Sequence, residues 1–160
     1  MRKAEKAVEL IQKELIDKTI LEVACGCADF SVYASHLAKH VYSIDLDDSR
    51  LSSDIIKCSN ITFEKMDAAD MKYDSGMFDT VIIYNAVGHL EDILIKVLNE
   101  CIRVKRPTGS IFIISSFKMD KRVIEDMLIP LLQEKRIAYR QIEKHITLYP
   151  QAGSHAFQSV

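Results

Sequence analysis

No stretch of this sequence approaches the roughly 20 consecutive apolar residues that cross a bilayer, so a membrane is not an expected partner. Its cysteines, Cys25, Cys27, Cys58 and Cys101, form no Cys-x-x-Cys pair, which removes the common zinc and redox spacings. The opening residues are charged and amphipathic rather than a short apolar leader core, and free thiols in a reducing cytoplasm are the expectation. Three prolines and five glycines leave no linker or low-complexity tract to divide the chain, and no repeat is visible. The 160 residues therefore read as one domain, 1–160, with residues 1–17 a helix packed on its core. A chain of this length buries roughly 70% of its unfolded surface, so it needs no disulfide or structural metal. A net charge of only −2 gives nucleic acid no electrostatic footprint. The small basic cluster Arg103, Lys105 and Arg106 reads as the solvated last turn of a helix, where cations suit the dipole.

What is present is an alternation of two periodicities. Ala4, Val8, Ile11 and Leu15 fall on one helical face over 4–16. Strand-like runs follow at 19–24, 41–45, 61–64, 78–83 and 110–116, several apolar throughout, as strands buried on both faces are. Helices are expected between them over 28–39, about 48–57 with Asp47 or Asp48 as cap, and 90–104. Residues 68–76 read as a loop, and Pro107-Thr108-Gly109 as a turn. A further helix around Val123–Leu128 is expected to be kinked by Pro130. The tail suggests two strands, about 137–148 and 155–160, joined by 149–154. The pattern implies an α/β protein with a mostly parallel, doubly wound, seven-stranded sheet and an antiparallel C-terminal edge strand.

In such sheets ligands collect beyond the carboxyl ends of the strands, where the strand order reverses. The informative polar residues fall there. Ile20-Leu21-Glu22-Val23-Ala24-Cys25-Gly26-Cys27-Ala28 is a buried strand breaking into a small-residue turn before a helix. Asp45 ends the second strand, 19 residues after Gly26, where a carboxylate suits two ribose hydroxyls. Asp67 and Ala68 follow the third strand, within reach of a purine edge. Tyr84 and Asn85 follow the fourth, and His89 comes soon after.

This order resembles the class I S-adenosylmethionine-dependent methyltransferases, and their small type 11 branch in particular. Phe78-Asp79-Thr80-Val81 through His89-Leu90 and Arg103 to Gly109 look like the family's later signatures. The resemblance covers about residues 15 to 160 and implies a Rossmann-like fold. It implies that Glu22, Ala24, Cys25 and Gly26 lie under the methionine part of S-adenosylmethionine. It places Asp45 and Leu46 at the ribose, Asp67 and Ala68 at the adenine, and Tyr84 and Asn85 beside the sulfonium and the acceptor. His89 is the candidate general base, since histidine exchanges protons near neutrality.

Two features are missing from the family pattern. Gly-x-Gly-x-Gly reads Ala24-x-Gly26-x-Ala28, which leaves Gly26 as the expected bearer of the demanding backbone conformation. The Asn-Pro-Pro-aromatic motif of amide and base N-methylating relatives is replaced by Tyr84-Asn85-Ala86-Val87, which points to a small-molecule acceptor. The chain also has no cap insertion, so its acceptor site is open, closed by the N-terminal helix, or completed by a homodimer mate or a partner subunit. An alternative from another class is a cofactor-binding subunit without activity of its own, marked by a broad apolar patch instead of a cavity. An NAD-dependent oxidoreductase is disfavoured, because Gly26-Cys27-Ala28-Asp29-Phe30-Ser31 lacks Gly-x-Gly-x-x-Gly and Asp29 would face a pyrophosphate. No metal site is expected.

Overall fold

The computed structural model describes residues 2–142 and the strand 145–149. The five apolar runs become β1 (Thr19–Val23), β2 (His40–Asp45), β3 (Ile61–Lys65), β4 (Phe78–Tyr84) and β5 (Lys105–Ile114), all parallel. β6 (Ala138–Ile142) and β7 (His145–Tyr149) complete a sheet of order β3-β2-β1-β4-β5-β7-β6. The antiparallel strand is not at the edge as expected. β7 runs against both β5 and β6 and lies between them, with β6 outermost. The single strand expected over 137–148 is thus two strands. The segment 155–160 and residues 150–154 lie outside the described residues.

Strand alternation assigns the two faces. Leu21, Val23, Ile44, Val81, Ile83, Ile111 and Ile113 bury one set of side chains beneath α3 (Leu94–Val104), α4 (Lys118–Val123) and α5 (Ile129–Glu134). Ile20, Val41, Ile82, Phe112 and Ile114 face the other way, onto α1 (Lys3–Leu10) and α2 (Asp29–Ala34). Ala7, Val8 and Ile11 seat α1 and the turn after it on that second face, beside Phe30 and Ala34 of α2.

Several elements are shorter or tighter than their periodicity suggests. The helix expected over 48–57 is only a 3₁₀ turn, Ser53–Lys57, capped by Ser52 rather than an aspartate. Short polar side chains take the amides that an α-helix would need. Asp47 accepts from the Ser49 amide at 2.9 Å, and Ser52 Oγ from the Asp54 amide at 3.2 Å. The helix expected from residue 90 starts as a 3₁₀ segment, Val87–Ile93, before α3 begins at Leu94. Pro107-Thr108-Gly109 lies inside β5 as a bulge: Phe78 pairs Lys105, but Thr80 pairs Ser110. Pro130 does not end its helix: the backbone stays helical from Lys118 to Glu134, and the turn before the proline, Ile124–Leu128, widens to π, which accommodates its missing N–H.

The basic cluster is not a solvated helix end. Arg103 donates to the carbonyls of Met71 and Tyr73 at 3.0 and 2.7 Å and pairs with Glu100. Lys105 is buried and donates to the Arg106 carbonyl at 2.7 Å. Arg106 pairs with Asp79, which also accepts the Thr19 amide.

Candidate functional site

Strand order runs outward from β1 to β2 and β3, then returns to β4 on the other side of β1. The reversal opens a cleft above the carboxyl ends of β1 and β4. After β1 the chain turns through Ala24 to Ala28 into α2. Ala24, Gly26 and Ala28 all adopt left-handed backbone, with φ of +55°, +57° and +61°. Gly26 therefore does not carry this conformation alone; the two alanines share it, at a cost of roughly 1–2 kcal/mol each. Gly26 has a further reason to lack a side chain. A Cβ there would stand 2.9 Å from Arg50 Nη2.

A stability measurement checks this strain. Ala24 is half-buried, so Ala24→Gly relieves the backbone while losing little packing. After the entropy added to the unfolded chain, a gain approaching about 1 kcal/mol is expected, or roughly 2–4 °C in Tm. Ala28 is fully buried, and Ala28→Gly is expected to change Tm little, because the lost methyl offsets the relief. A lower Tm for Ala24→Gly would contradict the strain assignment.

Asp45 ties the second strand to this loop. Its Oδ2 accepts the Gly26 amide at 2.8 Å and its Oδ1 the Asp47 amide at 3.0 Å. Two of its lone-pair directions remain for a ligand. A cavity of about 560 Å³ begins here. It is lined by Ala24, Cys25, Gly26, Asp45, Leu46, Asp67 and Ala68, and it continues to Tyr84, Asn85 and His89. Asp67 is exposed to it and uses one oxygen, Oδ1, to accept the Ala69 amide at 2.8 Å. Asn85 takes φ +50°, a conformation asparagine tolerates, and its Oδ1 receives the Ser116 amide at 2.7 Å. That bond joins the ends of β4 and β5. Tyr84 packs its ring 5.5 Å from that of Phe30, and burial pushes its phenol up.

Glu22 is the one expected site residue that does not reach the cavity. It shares a strand face with Ile20 and points down toward α2, opposite Ser43 in register. One oxygen of its carboxyl group accepts both the amide and the hydroxyl of Ser31, and Ser31 Oγ lies 2.6 Å from Ser43 Oγ. Only 1% of the residue is exposed, and burial pushes its carboxyl from the ordinary 4.5 to about 8. Glu22 therefore supports the loop from below.

Residues 20–109 match the family described as "Methyltransferase domain". The chain belongs to that methyltransferase family. Among curated proteins it is 30% identical over 131 residues to ajmaline N-methyltransferase of Rauvolfia serpentina, covering 75% of this chain and 43% of the relative. The domain thus spans less than half the length of the curated relatives it matches. Its fold matches that of a SAM-dependent methyltransferase from Aquifex aeolicus, with TM-score 0.71, 20% identity, and coverage of 89% of this chain and 87% of that one. Phosphoethanolamine N-methyltransferase 1 of Haemonchus contortus superposes with TM-score 0.73 at 15% identity, over 98% of this chain and 44% of that one.

The methyltransferase domain also has parts that motif reading does not reach. Arg103 and Glu100 on α3 pin the 66–76 loop: Glu100 accepts the Met71 amide at 2.7 Å while Arg103 holds the carbonyls of Met71 and Tyr73. Asp120 of α4 is fully buried. It accepts the Gly88 amide at 2.9 Å and the Ser115 hydroxyl at 2.7 Å, which anchors the segment carrying His89. Arg2, Lys3, Arg50 and Phe117 also line the cavity. None of these has a local signal; packing brings α1 and the turn after β5 over the site. The head of α1 forms part of the cavity wall. Burial pushes the Cys25 and Cys27 thiols up, so neither is poised as a nucleophile. Among the described residues no helix is long and apolar enough to cross a membrane.

Proposed function

We propose that this chain transfers a methyl group from S-adenosylmethionine to a small acceptor. One observation carries the reading: the turn after β1, Asp45 and Asp67 line the same cavity as Tyr84, Asn85 and His89. The residues fit the cofactor. Gly26 has no side chain to project toward it, Asp45 has free acceptor positions for ribose hydroxyls, and Asp67 with the Ala68 amide would meet a purine edge. When bound, the cofactor supplies an electrophilic methyl group on a sulfonium sulfur. The chain's own task is then mainly to align, and positioning supplies roughly 7–11 kcal/mol of such a barrier. His89 is exposed to the cavity and is the group placed to accept the proton that an O–H or N–H acceptor gives up. The concave site favours an enzyme over a scaffold. The free thiols suit a reducing compartment, and we assign the protein to the cytoplasm.

Calorimetry tests this directly. S-adenosylmethionine and S-adenosylhomocysteine are expected to bind at micromolar levels, with no heat from NAD. The His89→Ala variant is expected to keep its affinity for S-adenosylhomocysteine, since the ring acts on the acceptor's proton. Binding of NAD in place of the adenosyl compounds would replace the reading with the oxidoreductase one.

A further inference from the structure

The cradle for the adenosyl group accounts for the loops after β1, β2 and β3. It leaves one wall of the cavity unexplained. That wall is built by the head of α1, with Arg2 and Lys3, facing Phe117 after β5 and Leu90 and Ile93 after β4. Its character differs from the rest. The cavity's three carboxylates stand on the cradle side, Asp29 at the head of α2, Asp45 at the end of β2 and Asp67 after β3, with Arg50 as the one lining cation there. The α1 wall contributes only cations and apolar surface. Lys3 Nζ lies 5.8 Å from the centroid of the Phe117 ring and makes no salt bridge among the described residues. Phe117 is 45% exposed and lines the cavity.

We propose that this wall receives the methyl acceptor, and that the acceptor is a small amphiphilic anion. Its apolar body lies between Phe117, Leu90 and Ile93, and its carboxylate is met by Lys3 and Arg2. The inference rests on the methyltransferase reading, because it assigns the other half of the same cavity. Three physical points support it. An ammonium already resting against an aromatic face is held near the slot, so less side-chain freedom is lost when an anion arrives. Attraction between opposite charges strengthens where the ligand's body displaces water from the slot. A protonated amine of the same shape would bring like charge to Lys3 and Arg2, so the wall selects against it as well as for the anion.

The rival assignment for these cations is the amino-acid carboxylate of the cofactor itself, and the experiment separates the two. Protein saturated with S-adenosylhomocysteine is titrated with phenylacetate and with phenethylamine, followed by saturation-transfer NMR. Lys3→Glu and the neutral Lys3→Met are compared with the parent, and each is also titrated with S-adenosylhomocysteine and with 5′-methylthioadenosine, which lacks the amino-acid part. Lys3 is exposed, so both variants are expected to fold. The expected result is at least tenfold preference for phenylacetate, lost in Lys3→Glu and reduced in Lys3→Met, with both adenosyl ligands bound within twofold of the parent. Equal or absent signals for the two phenyl probes overturn the proposal while the cofactor reading stands. Weakened S-adenosylhomocysteine with unchanged 5′-methylthioadenosine also overturns it, by giving the cation to the cofactor. Failure of the parent to bind either adenosyl ligand removes the methyltransferase reading and this inference together.

Discussion

Replacing Asp45 with alanine is expected to weaken S-adenosylhomocysteine binding by about two orders of magnitude. The carboxylate is held by two backbone amides, from Gly26 and Asp47, which fix its plane and leave its outer lone pairs toward the cavity. Hydrogen bonds to a charged acceptor contribute about 1.5–3 kcal/mol each, and two ribose hydroxyls sharing one carboxylate give less than their sum. A loss of roughly 3 kcal/mol corresponds to the hundredfold figure. Alanine also frees the Gly26 amide and so loosens the turn itself. Asp45→Asn keeps one acceptor oxygen and is expected to fall between the two, at about tenfold. Calorimetry on all three proteins checks the series, and unchanged affinity in the alanine variant would remove Asp45 from the ribose site.

The second large effect concerns stability and pH. Glu22 has a carboxyl that burial pushes to about 8 in the folded chain, against an ordinary value of 4.5. Between those values the folded protein holds a proton on Glu22 that the unfolded chain has released. Folding then takes up a proton, so stability falls as pH rises through the window, by up to about 1.4 kcal/mol per pH unit. Below about 4.5 both states are protonated and above about 8 both are ionised, so the slope vanishes at either side. Glu22→Gln keeps a carbonyl to accept the Ser31 amide and removes the ionisation. Its thermal unfolding is expected to be nearly flat between pH 5 and 8, while the parent's midpoint declines by several degrees. Parallel profiles for the two proteins would show that Glu22 is ionised in the folded state throughout.

The two residues also mark how far the sequence could be read. Asp45, Asp67 and Tyr84 come to line one cavity because a parallel sheet delivers the ends of its strands to one place, so position along the chain determines position in space. Glu22 was misplaced by the same motif logic. It sits inside β1, where alternation sends its side chain below the sheet and only the next residues turn upward. The segment 48–57 has helical spacing, yet Asp47 and Ser52 bond its backbone amides locally and leave a single 3₁₀ turn. The sequence from Ala138 to Tyr149 contains no glycine and no proline before Pro150, so it reads as one long strand where two stand. The acceptor wall was illegible for another reason. Lys3 and Phe117 are 114 positions apart, and only the docking of α1 beside α2 brings them together.

The place of β7 bears on how the chain is made as well as how it is arranged. On a ribosome, β1 to β5 emerge in an order that lets each parallel pair form soon after its second member appears. The outermost strand, β6, is different. It emerges before β7, and its described partner in the sheet is β7. Until residues 145–149 have left the exit tunnel, the Ile111–Ile113 edge of β5 has no neighbour on that side, and β6 has nothing to pair with. An apolar, unpaired edge on a nascent chain invites pairing with another chain. A stalled or truncated product ending after Ile142 would therefore be a substrate for chaperones and proteases, even though the whole cofactor cradle had already been synthesised.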